Sequence, residues 1–376
     1  MSEQAYKVPK LCDLPGAQLL PKDLQIDYTR EIVWNVTNEC NSHCVHCYAD
    51  AKEKAPDEVS TAQAKAILDN IAESAARKGE KYCICWAGGE PLLREDIFEL
   101  MEYAKLKGLF QHIVTNGSLV DENVARKLKE AGIKFTCFSL DSFSAETHDR
   151  LKGKGSHARA LRAIEASMKA GIFQVPLCVV TKNNFDEIED FRKQCLERFG
   201  CEPYFDRLVG IGRAKGEIFE KFALSREQFK QIYESRYARI REYIEQGKAT
   251  QIPVMELFDL VPFMDTPKSQ QDRMYLSWGV GCQACRFWLG LNYNGDVWPC
   301  FRLPYKLGNL LSQSLDEVEA GEMFNTIRNR TGKRGKCATC EHVSLCGGGC
   351  LSDTYGITGD MFNEYPYCWH QPEGEK

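Results

Sequence analysis

From about Glu31 to Gly210, short apolar runs alternate with longer stretches in which apolar residues recur at about 3.6-residue spacing among charges. The short runs predict strands over residues 32–37, 82–87, 111–115, 135–140, 176–181 and 202–209. The amphipathic stretches predict helices over 61–76, 94–107, 121–131, 156–170 and 186–198. Asp121 and Ser156 stand where N-caps belong, and Gly108, Gly132 and Gly171 where helices stop. Repeated strand–helix units argue for a parallel sheet with right-handed crossovers. Six units are too few to close an eight-stranded barrel. The α/β pattern therefore predicts a partial (β/α)6 TIM-like barrel or an open doubly wound sheet. Either places ligands at the carboxyl ends of the strands.

The flanks read differently. Residues 1–30 carry Pro9, Pro15 and Pro21 and little periodicity, as a lead-in to the barrel at 31–210. Residues 211–280 predict a helical bridge, with a charged helix around 226–246 and an apolar stretch at 254–263. Over 281–376 cysteine, glycine and short segments dominate, which marks a small cysteine-rich, metal-stapled domain.

At 376 residues, 43% hydrophobic and 27% charged, the chain has the composition of a soluble globular protein. A net charge of −5 gives no argument for nucleic acid or an anionic membrane as a partner. The opening residues lack a basic and an apolar signal region, and no apolar run is long enough to span a bilayer. A cytoplasmic location is expected. There, eighteen cysteines in clustered spacings read as metal sites rather than disulfides. Cluster thiolates also call for a reducing, low-oxygen setting.

The first cysteine group is Cys40, Cys44 and Cys47, directly after the first predicted strand. Three thiolates on one loop suit either a zinc site or three corners of a four-iron cluster with one iron left open. At the end of strand two comes Gly88-Gly89-Glu90-Pro91, where two glycines allow close backbone approach and a carboxylate can meet an ammonium. A plain β-turn opening a helix is the alternative. Strand three ends in Thr115-Asn116-Gly117, and strand four in Ser139-Leu140-Asp141 with Arg150 and Lys152 downstream. Strand six leads through Leu208 to Gly210-Ile211-Gly212-Arg213.

In this order, at successive strand ends, these segments resemble the radical S-adenosylmethionine (radical SAM) superfamily. The resemblance implies an open iron on the Cys40, Cys44 and Cys47 cluster that binds S-adenosyl-L-methionine. Reductive cleavage would then give a 5′-deoxyadenosyl radical. It further implies that Gly88, Gly89 and Glu90 hold the methionine ammonium, with Thr115 and Asn116 on the same rim. Ser139 would contact the carboxylate and ribose. Lys152 stands where the family commonly has arginine, with Arg150 as the other cation. A lysine lacks the bidentate fork. His46 would stack near adenine, and Leu208 would pack it; a solvent-facing loop histidine is the alternative for His46.

A second set comprises Cys282, Cys285, Cys300, Cys337, Cys340, Cys346, Cys350 and Cys368. Two zinc ribbons are one reading. The full spacing closely resembles the SPASM domain, which implies two auxiliary [4Fe-4S] clusters and so three in all. Cys282, Cys285, Cys300 and Cys350 would hold one; Cys337, Cys340, Cys346 and Cys368 the other. Both would be fully ligated and serve electron transfer. Cys12, Cys83, Cys85, Cys137, Cys178, Cys195 and Cys201 remain. Core packing is expected of them, with a hydrogen-atom donor in the barrel interior as the alternative.

The resemblance implies a radical SAM oxidoreductase or maturase acting on a peptide or protein side chain. An electron donor such as ferredoxin or flavodoxin would feed it. Modification of a small cofactor precursor such as a tetrapyrrole side chain is the second reading, and a non-catalytic iron–sulfur or zinc protein the third. Phe301-Arg302 after Cys300 replaces the aspartate of sulfatase maturases, which disfavours that reaction. The thirty or so residues before the core are too few for a leader-binding domain, so a peptide would need a separate recruiting protein. The 33–37 and 358–360 segments are similar to those of tetrapyrrole side-chain enzymes. No residue is assigned as catalytic acid, base or hydrogen donor.

Overall fold

The computed structural model describes residues 28–245 and 281–370. Six strands run in parallel and in sequence order: β1 (Arg30–Asn35), β2 (Tyr82–Ala87), β3 (Phe110–Thr115), β4 (Phe135–Ser139), β5 (Phe173–Val180) and β6 (Tyr204–Arg207). Between them lie α1 (Thr61–Lys78), α2 (Ile97–Leu106), α3 (Glu122–Glu130), α4 (Ala145–Lys152), α5 (Ser156–Lys169) and α6 (Ile188–Phe199). After β6 come α7 (Glu217–Phe222) and α8 (Arg226–Glu245). The expected apolar stretch at 254–263, most of the lead-in and Cys12 lie outside the described residues.

Period-two alternation gives each strand two apolar faces. On the outer face Trp34 and Trp86 stack at 5.7 Å and join Ile32, Ile84 and Ile113 in the core against the helices. On the concave face Val33, Cys85 and Ala87 pack with Val114 and Phe301. Phe135 and Cys137 pack there with Phe110, Phe173, Val175 and Leu177.

Four details depart from the sequence expectation. β1 ends at Asn35 because Thr37 already belongs to the following loop, where its Oγ1 donates to Glu58 and accepts from Glu39 N. β5 starts at Phe173 and carries Pro176 inside it; β6 pairs with β5 only from Leu177 onward, so no ladder bond is asked of the proline on that side. Helix α4 falls in a stretch expected only as polar rim. Ser144 caps it and Gly153, at φ 97°, ends it. Gly155, not Ser156, is the N-cap of α5, and the Asp149 carboxylate does the capping. It accepts from Gly155 N at 2.5 Å, His157 N at 2.9 Å and Ser156 Oγ at 2.9 Å. Asp121 caps α3 as expected, and Gly108, Gly132 and Gly171 follow their helices at positive φ.

The cysteine-rich segment continues the same sheet. Its strand β7 (Trp288–Leu291) pairs parallel with β1, and β8 (Asp296–Trp298) and β9 (Gly308–Asn309) follow antiparallel. The nine-stranded order is β6-β5-β4-β3-β2-β1-β7-β8-β9. Buried ion pairs close the other side. Arg302 pairs with Asp206, and Arg207 pairs with Asp353 at 2.7 Å. The Arg207 guanidinium also donates to the hydroxyls of Tyr233 and Tyr365.

Removing one partner of such a pair strands the other charge. Arg302→Met should therefore destabilise the fold by about 3–5 kcal/mol, and adding Asp206→Leu should recover most of that loss. Anaerobic unfolding of the single and double variants measures both. A loss of under about 1 kcal/mol would mean the pair is not a buried clamp.

Candidate active site at the strand ends

The Cys40–Cys47 loop is held from several elements at once. Cys40 N donates to Lys52 O at 3.0 Å, and Val45 N to Leu151 O at 2.9 Å, at the end of α4. Asn116 Nδ2 donates to Asn41 Oδ1, and Asn41 Nδ2 to Ser118 Oγ, both at 2.9 Å. After β6, Arg213 donates from its backbone to Cys47 O and from Nε to Cys44 O, each at 2.9 Å. Gly212 permits this approach, since a Cβ there would lie 2.5 Å from Cys47 O. The sequence does not by itself show this role of Arg213; a cation closing the Gly210-Ile211-Gly212 turn after a strand is the available signal.

The three thiols are free and half-buried. Burial pushes Cys40 up to about 11, with the Glu90 charge adding to it. Burial also raises Cys44, against the opposing charges of Lys152 and Arg213. Three unpaired sulfur donors on one anchored loop, flanked by two cations, fit an anionic iron–sulfur cluster.

β2 delivers the glycines to this loop. A Cβ on Gly89 would sit 2.0 Å from Glu39 O and 3.1 Å from Cys40 Cβ; one on Gly88, at φ +128°, 2.6 Å from Thr37 O. No side chain fits at either. Glu90 is fully buried. Its carboxylate accepts from Thr115 Oγ1 at 2.8 Å, Asn116 N at 2.9 Å and Leu92 N at 3.3 Å. Burial nevertheless pushes it up to about 7, and among the described residues no cation pairs with it. A buried carboxylate without a counter-ion beside a sulfur-rich loop suits an incoming ammonium.

The second charged group centres on Asp141, after β4. Its Oδ1 accepts from Val179 N at 2.9 Å, while Oδ2 lies 3.4 Å from Lys152 Nζ and 3.8 Å from His46 Nε2. Lys152 is buried; Arg150 is exposed and faces Glu146 and Asn183. Of the two candidate cations, Lys152 is therefore the one in the site. His46 is buried too, not solvent-facing, and burial with the nearby cations holds it well below its usual range, as a neutral imidazole. Ser139 is half-buried at the end of β4. The Leu208 side chain packs with Ala214 and Ala223.

Of the C-terminal cysteines, Cys282, Cys285, Cys300, Cys337 and Cys350 are buried, and Cys340, Cys346 and Cys368 are half-buried. Cys300 Sγ is 3.2 Å from Ser352 Oγ, and Cys282 N donates to Cys346 O at 3.2 Å. Lys333 lies among the thiols of Cys282, Cys337, Cys346 and Cys350. That places one half-buried cation near members of both cysteine sets. Phe301, next to Cys300, meets Tyr48 edge-on at 5.6 Å, so this segment reaches the cluster loop. Among the other cysteines, Cys83, Cys85 and Cys137 share the concave face. Cys178 turns to the helix side and, with Cys195 and Cys201, is buried there.

The chain is 32% identical over 351 residues to the AdoMet-dependent heme synthase of Methanosarcina barkeri, spanning 91% of this chain and 97% of that protein. The radical SAM superfamily profile matches residues 34–195. This chain belongs to the radical SAM superfamily. As a radical SAM enzyme it carries a C-terminal SPASM iron–sulfur cluster-binding domain, matched over residues 282–341. It is also 28% identical to the mycofactocin maturase MftC of Mycolicibacterium smegmatis, over 92% of this chain and 84% of that one. The solved structure of anSMEcpe with bound AdoMet superposes with a TM-score of 0.69 at 19% identity, over 90% of this chain and 93% of that one. That likeness bears out the partial-barrel fold. No helix among the described residues is long and apolar enough to cross a membrane.

If Glu90 receives the cofactor's ammonium, Glu90→Gln removes one charge-assisted hydrogen bond, worth about 1.5–3 kcal/mol. Affinity for S-adenosylmethionine should fall roughly tenfold to a hundredfold. In the wild type it should rise with pH towards about 7, as the carboxylate ionises, and this dependence should flatten in the variant. Cofactor titration across pH reads both, and unchanged affinity would leave Glu90 a purely structural residue.

Proposed function

We propose that this radical SAM enzyme takes hydrogen from a side chain of a tetrapyrrole, of the iron-porphyrin class. The observation that carries this reading is the end-to-end likeness to proteins named heme synthase and Fe-coproporphyrin III synthase. It reverses the order expected from sequence, where a peptide came first. The concave face supports it. Phe110, Val114, Phe173, Val175 and Leu177 form a half-buried apolar wall below the cluster loop, suited to a broad flat ligand. The likeness to the mycofactocin maturase keeps a peptide, with a separate recruiting protein, as the second reading.

In the proposed site Cys40, Cys44 and Cys47 hold the open cluster. Glu90, Gly88 and Gly89 receive the cofactor's ammonium, with Thr115 and Asn116 fixing the carboxylate of Glu90. Lys152 and Ser139 meet the cofactor's carboxylate and ribose; His46 and the backbone at Leu208 flank its adenine. S-adenosylmethionine bound there, with an electron from a donor of the ferredoxin or flavodoxin class, supplies a carbon radical strong enough for unactivated C–H bonds. The apolar wall excludes water from that chemistry. Cys282, Cys285, Cys300 and Cys350, and Cys337, Cys340, Cys346 and Cys368, would hold two auxiliary clusters, which would supply an electron path to or from the site.

Two measurements test these assignments. Anaerobic reconstitution should load about twelve irons per chain, falling to about eight when Cys40, Cys44 and Cys47 are all replaced by alanine. A wild-type value near four would remove the auxiliary clusters. Separately, reduced enzyme with S-adenosylmethionine should form 5′-deoxyadenosine in step with a mass change in iron-coproporphyrin. If coproporphyrin stays unchanged while a supplied peptide is modified, the second reading replaces the first.

A further inference from the structure

The opposite, N-terminal ends of the strands carry ligating side chains that the radical chemistry leaves unused. Glu31 on β1, Cys83 on β2 and His112 on β3 come from three adjacent parallel strands. Their strand parity is that of Val33, Cys85 and Val114, so they face the concave side. One carboxylate oxygen, the sulfur and one ring nitrogen lie within 4.8 Å of one another.

Burial makes the group unusual. Glu31 is 6% exposed, Cys83 0% and His112 4%. Neither ring nitrogen of His112 makes a hydrogen bond. Its Nε2 stands 3.4 Å from Glu31 Oε2, and the ring stacks on Phe135 at 4.3 Å, which fixes its plane. Tyr28 covers the group and donates its hydroxyl to Glu31 Oε2 at 2.7 Å. Buried polar groups are normally satisfied, so an unbonded imidazole aimed at a carboxylate and a thiol asks for a ligand.

We propose that Glu31, Cys83 and His112 form a site for one borderline divalent cation, with Zn2+ the best fit. One oxygen, one sulfur and one nitrogen donor suit zinc and disfavour Mg2+ and Ca2+, which take oxygen ligands. Tetrahedral zinc with bonds of ~2.0–2.3 Å holds its ligand atoms roughly 3.3–3.8 Å apart, so the three side chains need only close slightly. Three protein ligands leave the fourth position for water or an external group. Four residues of strand separate Glu31 from the end of β1, or about 13 Å, so this site is distinct from the cluster loop. An ion here neutralises the buried carboxylate and ties the feet of three strands together.

The test uses the reconstituted enzyme with its iron in place, titrated with Co2+ as a spectroscopic stand-in for Zn2+. Wild type should bind one Co2+ per chain with a near-ultraviolet thiolate charge-transfer band. Cys83→Ser should lose the band, and Cys85→Ser should keep it. Glu31→Gln and His112→Gln should weaken binding by at least about tenfold, with iron content unchanged. Should Cys83→Ser fail to fold, wild type still decides the matter, because Zn2+ must raise its melting temperature with a one-per-chain end point. No Co2+ uptake by wild type, no thermal shift, or a band that survives Cys83→Ser would reduce the group to a buried acid–imidazole pair and overturn the proposal.

Discussion

The backbone of Gly88 and Gly89 lies directly against that of Thr37 and Glu39, with no room for a Cβ between them. That contact fixes the end of β2 against the start of the cysteine loop. Gly89 N then donates to Thr37 O and Glu90 N to Glu39 O, at 2.9 and 2.8 Å. The next side chain, Glu90, is driven inward, where the end of β3 meets it through Thr115 and Asn116, with Leu92 N as a longer third donor. Asn116 in turn holds Asn41 in the cysteine loop. Three strand ends and the loop thus form one closed circuit of hydrogen bonds. Its weak point is electrostatic: a buried carboxylate with no counter-ion among the described residues.

The opposite wall of the site has the complementary charge. Lys152 and Arg213 stand near Cys44, each with one carboxylate partner, Asp141 and Asp50. Cations beside the thiols favour an anionic cluster. The cysteine-rich segment is registered on this arrangement by β7 pairing with β1 and by the Arg302–Asp206 and Arg207–Asp353 pairs at the end of β6. Buried pairs of this kind add little net stability, but each fixes a position closely. Here they fix Cys300 and Cys350, which flank Arg302 and Asp353, relative to the strand ends. Arg302, two residues after Cys300, is held as half of a clamp.

Local patterns carried most of the fold. Apolar runs located every one of the six barrel strands, because a strand buried on both faces is apolar over most of its length. Cysteine spacing and the Gly88–Glu90 segment were legible because backbone geometry constrains them within a few residues. Helix α4 was missed because its sequence is charged and only His148, Leu151 and Lys152 face inward. Ser156 was misread as a cap because the true acceptor, Asp149, belongs to the preceding helix. Arg150 and Lys152 could not be told apart, since their separation of two residues on a helix becomes a difference of face only once α4 is known. The pairing of β7 with β1 joins segments some 250 residues apart, and no local pattern encodes it. Glu31, Cys83 and His112 were invisible as a group for the same reason: each is unremarkable in its own strand.

The sheet's incompleteness gives the interior its use. In a closed eight-stranded barrel the inward side chains meet at the axis and fill it. Here the sheet ends at β6 on one side and β9 on the other. The inward residues of β5, Phe173, Val175, Leu177 and Val179, consequently remain half-buried, while their outward neighbours are buried. Apolar residues left in that state cost free energy unless something covers them. They stand beneath the cluster loop and opposite Phe301. Under the proposed function the cover is the substrate, which would be held against the wall with its reacting carbon towards the strand ends.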